Sequence, residues 1–502
     1  MIDLDEPAQS DPAHPPTPQR QESVAAALRA VLPEDCVLWR EEERRPYECD
    51  GLTAFRQLPM VVTLPHTEEQ VRAILSVCHR LEVPVVARGA GTGLSGGAMP
   101  HASGVVLSLA RLNRILELDP VARQARVQPG VRNLQVSEAA AAHGLYYAPD
   151  PSSQIACSIG GNVAENSGGV HCLKYGLTVH NVLRVRGYTI EGELIELGSS
   201  APDGPGLDLL AAVIGSEGLL MVVTEVTLKL IPRPQLAQLV MASFDDVGKA
   251  GDAVAAIISA GIIPAGLEMM DRKATRAVEP FVRAGYDLDA EAILLAEADG
   301  TPEEVAGQVA EIERVLKAAG ATAIAVSRSE TERVRFWSGR KNAFPAAGRV
   351  SPDYYCMDGT IPRKNVGRML KAIEQMETQH QLRCMNVFHA GDGNLHPLIL
   401  FDANVPGEWA RADRFGAQIL ELCVQLGGTI TGEHGVGIEK INSMCVQFSP
   451  RERAAFFGIK RAFDPVGLLN PGKTIPTLAR CAEYGKMHVH AGALPHPDLP
   501  RF

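Results

Sequence analysis

Apolar residues in the first half of the chain form short runs of the kind that predict β-strands. Residues 61–64 and 85–87 are two such runs, each rich in valine. Between them, Thr67 is placed as the N-cap of a helix whose apolar positions recur at helical spacing as far as His79. A last dense run of Val, Thr and Leu covers residues 219–231. The pattern predicts a mixed α+β domain.

A proline pair, Pro232 and Pro234, closes that run and marks a domain boundary. Two strand–helix–strand units follow it. They predict a sheet covered on one face by helices, at residues 238–270 and 292–326. Further on, the pattern predicts a strand at 385–389 and helices at 409–426 and 450–463. The prediction for the whole chain is an α+β fold.

This pattern divides the chain into four parts. Residues 1–40 are expected to be a disordered or peripheral segment, because their first twenty residues are acidic and rich in proline. The first domain is placed at 41–233 and the second at 234–476. Residues 477–502 are predicted to be a tail without regular structure.

Composition excludes some classes of function. The 502 residues carry 48 Lys+Arg against 59 Asp+Glu, a formal net charge of −11, which argues against nucleic acid as a partner. Ten cysteines without a CxxC pair offer no iron–sulfur or zinc-ribbon framework and indicate reduced thiols. No apolar run approaches the ~20 residues of a membrane helix, and the start lacks the pattern of a signal peptide. We therefore expect a cytoplasmic protein, or one held at the inner face of the membrane by a partner.

A glycine-rich stretch, residues 89–97, follows the strand at 85–87 with no spacer. Glycines let successive backbone N–H groups converge on an anion. No Gly-Lys-Ser/Thr ends the stretch, so it is not a phosphate loop of the Walker type, and Gly96, Gly97 and Pro100 disfavour the helix that a dinucleotide fingerprint needs. A plain surface loop remains the alternative at this point.

A second segment rich in small polar residues, 149–169, favours a ligand over a plain loop. Repeated Gly-Gly pairs beside Asn and Ser suit a chain that wraps around a large polar molecule with its backbone. Gly, Ser and Asn are too frequent here to predict a regular element.

Together the two segments resemble the FAD-binding domain of the vanillyl-alcohol oxidase superfamily. Within this superfamily, residues 40–476 resemble the FAD-linked oxidases that include glycolate oxidase FAD-binding subunits and D-lactate dehydrogenases. The resemblance implies a two-subdomain FAD-binding domain of the vanillyl-alcohol oxidase type. An α+β cap of ferredoxin-like repeats and a C-terminal helical segment returning to the flavin would follow it.

The resemblance also implies which residues contact FAD. The pyrophosphate would be cradled by Arg88, Gly89, Ala90, Gly91, Thr92, Gly93, Leu94 and Ser95. The isoalloxazine and ribityl path would be lined by Asp150, Ser152, Gly160, Gly161, Asn162, Gly168 and Gly169. Further cofactor contacts would come from Pro149, Ser153, Asn166, Tyr175, Gly176, from Glu217 and Gly218 near the adenine, and from Asn470 on the C-terminal return. Some superfamily members attach FAD to a loop histidine, but this loop has none, so we expect non-covalent FAD.

A second cluster, His389-Ala-Gly-Asp-Gly-Asn-Leu-His396, holds two histidines. One straight strand would point them to opposite faces, whereas a turn at Asp392-Gly393 would bring both imidazoles together. The stretch Gly432-Glu433-His434-Gly435 adds a carboxylate and another imidazole. Two His and one Glu leave open positions on a divalent metal, while any single histidine is more commonly a hydrogen-bonded core residue.

The same resemblance assigns roles to this cluster. His389, His396 and Glu433 would bind a divalent metal (Zn, Mn or Fe), His434 would be the general base, and Asn394 would lie near the substrate. Arg340 is the candidate for the substrate carboxylate, with an exposed helix charge as the alternative. Relatives that act on D-2-hydroxyglutarate carry Lys where Cys356 stands, which favours a small D-2-hydroxy acid such as glycolate or D-lactate over that substrate.

Rival functions remain at this stage. A metallohydrolase would leave both glycine-rich segments unexplained. A non-redox flavin-dependent transferase would not need the metal residues. A subunit that only relays electrons would not need intact His389, His396 and Glu433. For the dehydrogenase, we expect electrons to pass to a partner subunit, a quinone or a soluble carrier.

Overall fold

The computed structural model describes residues 16–201, 204 and 206–476 of the chain. The disorder expected for residues 1–15 and the tail expected from 477 lie outside these residues.

The first domain is built on short strands, many of them valine-rich. Its strands are β1 (Val37–Leu38), β2 (Val61–Thr63), β3 (Val85–Arg88), β4 (Val105–Ser108), β5 (Ile115–Asp119), β6 (Gln124–Val127), β7 (Leu145–Tyr146), β8 (Val182–Tyr188), β9 (Leu194–Gly198), β10 (Val222–Lys229) and β11 (Ile231–Pro232). Its helices are α1 (Pro18–Arg29), α2 (Glu41–Arg44), α3 (Glu68–Arg80), α4 (Asn133–Ala140), α5 (Ile159–Glu165), α6 (Cys172–Tyr175), α7 (Thr178–Asn181) and α8 (Leu209–Val213).

Two sheets form the two subdomains of this first domain. One has the order β1-β2-β4-β3, in which β2, β4 and β3 are parallel and β1 is antiparallel. The other is antiparallel with the order β5-β6-β10-β8-β9. The glycine-rich loop starts at the end of β3, which places it at the carboxyl edge of the parallel strands.

The N-terminal prediction is wrong from Pro18 onward. Thr17 caps α1, and Val24, Ala25 and Leu28 of this helix are completely buried in the core around the parallel strands. The acidic, proline-rich composition that indicated disorder stops where this apolar stripe begins.

The second domain consists of longer strands and helices. Its strands are β12 (Leu236–Phe244), β13 (Gly266–Asp271), β14 (Ala292–Gly300), β15 (Ala323–Val326), β16 (Asp353–Cys356), β17 (Arg383–His389) and β18 (Asn394–Phe401). Its helices are α9 (Val247–Ser259), α10 (Arg272–Val282), α11 (Pro302–Ala318), α12 (Glu330–Lys341), α13 (Ala343–Val350), α14 (Val366–His380), α15 (Glu408–Gln425), α16 (Met444–Gln447) and α17 (Pro450–Phe463).

Its strands form one antiparallel sheet in the order β15-β12-β14-β13-β17-β18-β16. The first four have the ferredoxin-like order, in which the first and third strands of the unit, β12 and β14, are central and the second and fourth, β13 and β15, flank them. The remaining three follow the same order without a fourth strand. The expected ferredoxin-like repeats are therefore present, the second one shortened.

Helices cover both faces of this sheet, so the prediction of one covered face is wrong. Side chains such as Val240 and Phe388 point to the core beneath α9, α11, α14 and α15. Their neighbours Leu239 and Val387 point to the opposite core, which α10, α12 and α13 close. A strand buried on both faces is apolar at almost every position, so it lacks the alternation of apolar and polar residues that distinguishes a covered face from an exposed one.

The C-terminal segment returns to the first domain, as expected. Val85 of β3 donates its backbone N–H to Leu468 O and accepts from Asn470 N, both at 2.8 Å. Phe456, Phe457 and Phe463 of α17 pack against the core of the five-stranded sheet. The last described residues thus lie beside the start of the glycine-rich loop.

Candidate active site

One cavity of about 570 Å³ joins the glycine-rich segments to the histidine cluster. The cofactor residues predicted from the sequence that line it are Arg88, Gly89, Ala90, Gly91, Thr92, Gly93, Leu94, Ser152, Ser153, Gly160, Gly161, Asn162, Glu217 and Gly218. His396, Glu433 and His434 line the same cavity. Residues more than 300 positions apart therefore share one site.

The first loop approaches the rest of the cavity wall too closely for side chains. A Cβ on Gly89 would lie 2.2 Å from Ser158 Oγ, and one on Gly97 would lie 2.6 Å from Glu165 Oε1. Gly91 has a φ of +74°, which disfavours other residues. The loop thus offers backbone rather than side chains to a ligand, as binding of a pyrophosphate requires. Arg88 itself donates to Cys49 O at 2.7 Å and packs over Tyr47.

The second segment contains a helix that its composition did not predict. Ser158 caps α5 by accepting from Gly161 N at 3.3 Å, and the helix ends at Asn166 in the left-handed region. Asn162 on this helix accepts from Asn133 Nδ2 at 3.1 Å. Two glycines in the first turn disguised the helix in the sequence, because glycine disfavours helix interiors.

Nine predicted cofactor residues do not line the cavity. They are Ser95, Pro149, Asp150, Asn166, Gly168, Gly169, Tyr175, Gly176 and Asn470. Asp150 accepts from His171 Nδ1 at 2.7 Å, and Tyr175 donates to Asp299 Oδ2 at 2.6 Å. The contact of Tyr175 joins the two domains, and Asp150 holds His171, whose Nε2 lies 3.2 Å from Glu297 Oε1 of the second domain.

Asn470 supports the wall from behind. Its Nδ2 donates to Gly97 O at 3.0 Å and to Glu217 O at 2.6 Å. It therefore positions the first loop relative to Glu217.

The turn at Asp392-Gly393 places both histidines of the second cluster on one face of the sheet. Strands β17 and β18 pair so that Asn394 is opposite His389 and His396 is opposite Val387. The two imidazole centroids are 5.0 Å apart. The hairpin predicted from the sequence is confirmed, and it explains how residues seven positions apart share a face.

Glu433 brings its carboxylate to both imidazoles. Its Oε1 lies 3.0 Å from His396 Nε2 and 3.4 Å from His389 Nε2. Donor atoms of His389, His396 and Glu433 all lie within 4.8 Å of one another. Two imidazoles and a carboxylate suit Zn, Mn or Fe and leave coordination positions open. This donor set therefore fits a catalytic divalent metal.

A second carboxylate, Glu268 on β13, was missed in the sequence. Its Oε1 lies 2.8 Å from His389 Nδ1, and its Oε2 accepts from Arg340 Nε at 2.6 Å. Burial alone would lower the pKa of His389, but Glu268 raises it to about 10. The cluster thus attracts positive charge. A lone glutamate within the apolar run Gly-Leu-Glu-Met-Met was the available signal.

Arg340 lies beside this cluster. It is buried on α12, which rules out the exposed helix charge, and its Nη2 is 3.3 Å from His389 Nε2. It does not line the cavity, whereas the adjacent Lys341 does. Sequence reasoning did not single out Lys341.

His434 stacks on His396 with ring centroids 5.0 Å apart and planes 15° from parallel. Its Nδ1 is buried and has no hydrogen-bond partner among the described residues. Burial lowers the pKa of His434 to about 4, although Asp358 opposes this. The ring is therefore neutral at pH 7 and able to accept a proton.

Asp358, also missed in the sequence, fixes the backbone that carries Glu433 and His434. It is completely buried and accepts from Thr431 Oγ1, Gly432 N and His434 N at 2.5–3.1 Å. Burial would raise the pKa of Asp358, but His434 and Lys440 hold it at about 2. The loop is thus held by a carboxylate that stays charged.

Cys356 and Asn394 complete the surroundings. The thiol of Cys356 lies 3.9 Å from His396 Nδ1, and its donor atom groups with those of His396 and His434 as a second potential metal set. Asn394 Oδ1 is buried without a hydrogen-bond partner in the described part of the chain. Such an atom is available to a ligand.

Comparisons with known sequences identify the family of each domain. The FAD binding domain family matches residues 59–198, and the family of FAD linked oxidases, C-terminal domain, matches residues 233–474. The chain is 62% identical over 480 residues to glycolate oxidase subunit GlcD of Escherichia coli K12, covering 96% of each chain. It is 31% identical over 450 residues to D-lactate dehydrogenase of Anaerostipes hadrus, covering 87% of this chain and 94% of the relative.

The fold is similar to that of 4-ethylphenol oxidase from Gulosibacter chungangensis. The TM-score is 0.78 at 16% identity, covering 93% of this chain and 98% of the other. Among the described residues, no helix is both long and apolar enough to cross a membrane. The protein has the two-domain fold of the vanillyl-alcohol oxidase type and belongs to the FAD-linked oxidoreductase family that contains glycolate oxidase subunits and D-lactate dehydrogenases.

Proposed function

We propose that this protein oxidises a small D-2-hydroxy acid, glycolate or D-lactate, to the corresponding 2-oxo acid. The observation that carries the proposal is the shared cavity: the neutral imidazole of His434 faces the same space as the backbone cradle for FAD. The two substrates come from the names of the relatives at 62% and 31% identity, a glycolate oxidase subunit and a D-lactate dehydrogenase.

FAD, when bound, accepts the hydrogen of C2 together with two electrons. The residues that would hold it are those of the cradle, from Arg88 to Leu94 and around Gly160 and Gly161. We propose non-covalent binding, because the loop residues that line the cavity include no histidine.

His389, His396 and Glu433 would hold a divalent metal. When bound, the metal supplies a positive charge that lowers the pKa of a nearby hydroxyl group. Glu268 acts behind this site, because its bond to Nδ1 of His389 fixes the orientation of the ring.

His434 would take the proton of the substrate hydroxyl while the C2–H bond breaks. A base must be unprotonated at the working pH, and burial gives this imidazole that property. Asp358 keeps the base in place through the backbone of residues 432–434.

The size of the substrate follows from the groups around the cluster. Arg340 would bind its carboxylate with the Nη atoms, because Nε is already held by Glu268. Asn394, whose Oδ1 is buried without a hydrogen-bond partner among the described residues, would lie near the substrate. At Cys356 the chain offers a buried thiol, which provides no charge for a second carboxylate.

The electrons would then leave the flavin to a partner subunit, a quinone or a soluble carrier. The relative from Escherichia coli is named as a subunit, which favours a partner protein. A cytoplasmic position, or one at the inner membrane face through that partner, remains a prediction.

The proposal is tested by mixing the purified FAD-loaded protein anaerobically with glycolate, D-lactate or L-lactate. Loss of the oxidised flavin absorbance with glycolate or D-lactate, together with formation of the 2-oxo acid, is the expected result. No bleaching with any of them would refute the proposal.

A further inference from the structure

A pair of buried carboxylates lies in the wall of the cavity, apart from the histidine cluster. Glu165 ends α5, Glu217 lies at a turn in the left-handed region, and both line the cavity. The two approach each other at Gly435: a Cβ there would lie 2.0 Å from Glu165 Oε2 and 3.0 Å from Glu217 Oε1. Glu217 was expected to contact the cofactor near the adenine, and it bonds the backbone of the loop that carries His434. Glu165 has no role in the proposed chemistry described above.

The two carboxylates differ in what they bind. Glu217 accepts from Val436 N at 2.7 Å and from Gly437 N at 2.6 Å, which satisfies its charged form. Glu165 Oε2 is buried without a hydrogen-bond partner in the described part of the chain. Two close carboxylates in a desolvated site do not both ionise, so a single proton belongs on the member that lacks donors. That member is Glu165.

Other charged groups nearby do not reverse this assignment. Lys440 donates to Gly435 O at 2.9 Å and pairs with Glu439. Lys473 donates to Gly97 O and to Met99 O. Asp50, a third carboxylate on this side, adds further negative charge. Burial raises the pKa of Glu165 well above its ordinary value, and Glu217 and Asp50 raise it further, whereas Lys440 and Lys473 oppose them.

The neighbours of Glu165 identify what its proton faces. Its Oε1 lies against the end of the glycine-rich loop, where a Cβ on Gly97 would be 2.6 Å away, and Glu165 itself lines the cavity. Its other side lies against the loop that carries His434. We propose that Glu165 is a neutral carboxylic acid that donates a hydrogen bond to the flavin at the end beside His434. This inference rests on the proposed function in one respect: it assumes that the reactive end of the flavin lies beside His434.

Such a donor changes the properties of the flavin. A reduced flavin carries more negative charge than the oxidised form, and a hydrogen-bond donor stabilises that charge. Because the donor is neutral, it does not repel the substrate carboxylate. The expected consequence is a higher reduction potential of the bound flavin.

Infrared spectroscopy of the FAD-loaded protein tests the neutral state directly. The difference spectrum between wild type and Glu165→Gln at pH 7 is expected to contain the carbonyl band of one protonated carboxylic acid, separate from the bands of other buried carboxyls such as Glu439. Reduction with dithionite is expected to shift this band. Absence of this band from the difference spectrum would overturn the protonation assignment. A band that dithionite leaves unmoved would overturn the contact with the flavin.

Reduction potentials provide a second readout. Glu165→Gln keeps a donor, so its potential should stay near that of wild type, whereas Glu165→Leu should have a lower one. Equal potentials in all three proteins at equal FAD content would contradict the proposal. If Glu165→Leu fails to retain FAD, the infrared comparison of wild type and Glu165→Gln still decides. Dithionite reduces the flavin without a hydroxy acid, so these results are independent of whether any 2-hydroxy acid is a substrate.

Discussion

Glu268 and His389 lie on neighbouring antiparallel strands, and Glu268 Oε1 is 2.8 Å from His389 Nδ1. The carboxylate holds a proton on Nδ1, so Nε2 faces Glu433. Glu268→Gln should therefore weaken metal binding by roughly 10- to 100-fold, the usual effect of losing such a partner. Metal content after dialysis against defined metal concentrations measures it.

A matched control for this variant is Glu303→Gln on the exposed surface of α11. It should leave metal affinity at the wild-type value. Equal affinities in Glu268→Gln and Glu303→Gln would show that the contact to His389 does not support a metal.

Arg340 and Lys341 are adjacent cations in different surroundings. Substituting each of them distinguishes which one binds the substrate carboxylate. Arg340→Lys should raise KM by about 10- to 100-fold, because a charged hydrogen bond contributes about 1.5–3 kcal/mol. Lys341→Met should change KM less than threefold. Steady-state kinetics at constant FAD content measure both, and the reverse pattern would assign the carboxylate to Lys341.

A substitution at Gly89 tests whether the backbone of the glycine-rich loop binds FAD. A Cβ at this position would lie 2.2 Å from Ser158 Oγ, which caps α5, so Gly89→Ala should displace the loop and lower FAD affinity more than tenfold. Flavin content per polypeptide measures the loss. At Gly307, by contrast, a Cβ meets nothing within 4 Å, and Gly307→Ala should retain full FAD. Full FAD in both variants would contradict the assignment of this loop.

Glu297 joins the two domains, and its lowered pKa predicts that the stability of the fold depends on pH. It accepts from His171 at 3.2 Å, Arg333 at 2.6 Å and Trp337 at 2.5 Å. Burial alone would raise its pKa, but His171 and Arg333 lower it to about 2. A lowered carboxyl pKa stabilises the folded state above the ordinary value near 4.5, and the effect is lost as pH falls toward 2.

Glu297→Gln should accordingly cost about 3 kcal/mol of unfolding free energy at pH 7. The difference from wild type should fall to less than half of that at pH 3. Urea unfolding at the two pH values measures it, with Glu303→Gln as the control. A difference that stays constant with pH would mean that the charge of Glu297 does not contribute.

Local patterns predicted the parts of the site that local chemistry determines. The glycine-rich loop after β3 and the turn between His389 and His396 follow from residues within about twelve positions of one another. The helix α5 was not predicted, because Gly160 and Gly161 in its first turn are typical of a loop. Its cap, Ser158 bonded to Gly161 N, was the available signal.

Contacts between distant strands were not predictable from one sequence. Glu268 reaches His389 only because β13 and β17, more than a hundred residues apart, are neighbours in the sheet. The same holds for Asp358 and the loop at His434. The resemblance assigned Asp150 and Tyr175 to the cofactor. In the fold, Tyr175 bonds Asp299 of the second domain, and Asp150 holds the imidazole of His171, which contacts that domain.

The central claim is that His434 serves as the base beside a bound flavin, and one rapid-mixing experiment tests it most directly. Wild type and His434→Gln, matched for FAD and metal content, are mixed anaerobically with the substrate, and the rate of flavin bleaching is recorded. Wild type should bleach rapidly and His434→Gln should bleach about 10²- to 10⁴-fold more slowly, the usual contribution of a general base. Bleaching of His434→Gln at the wild-type rate would contradict the account.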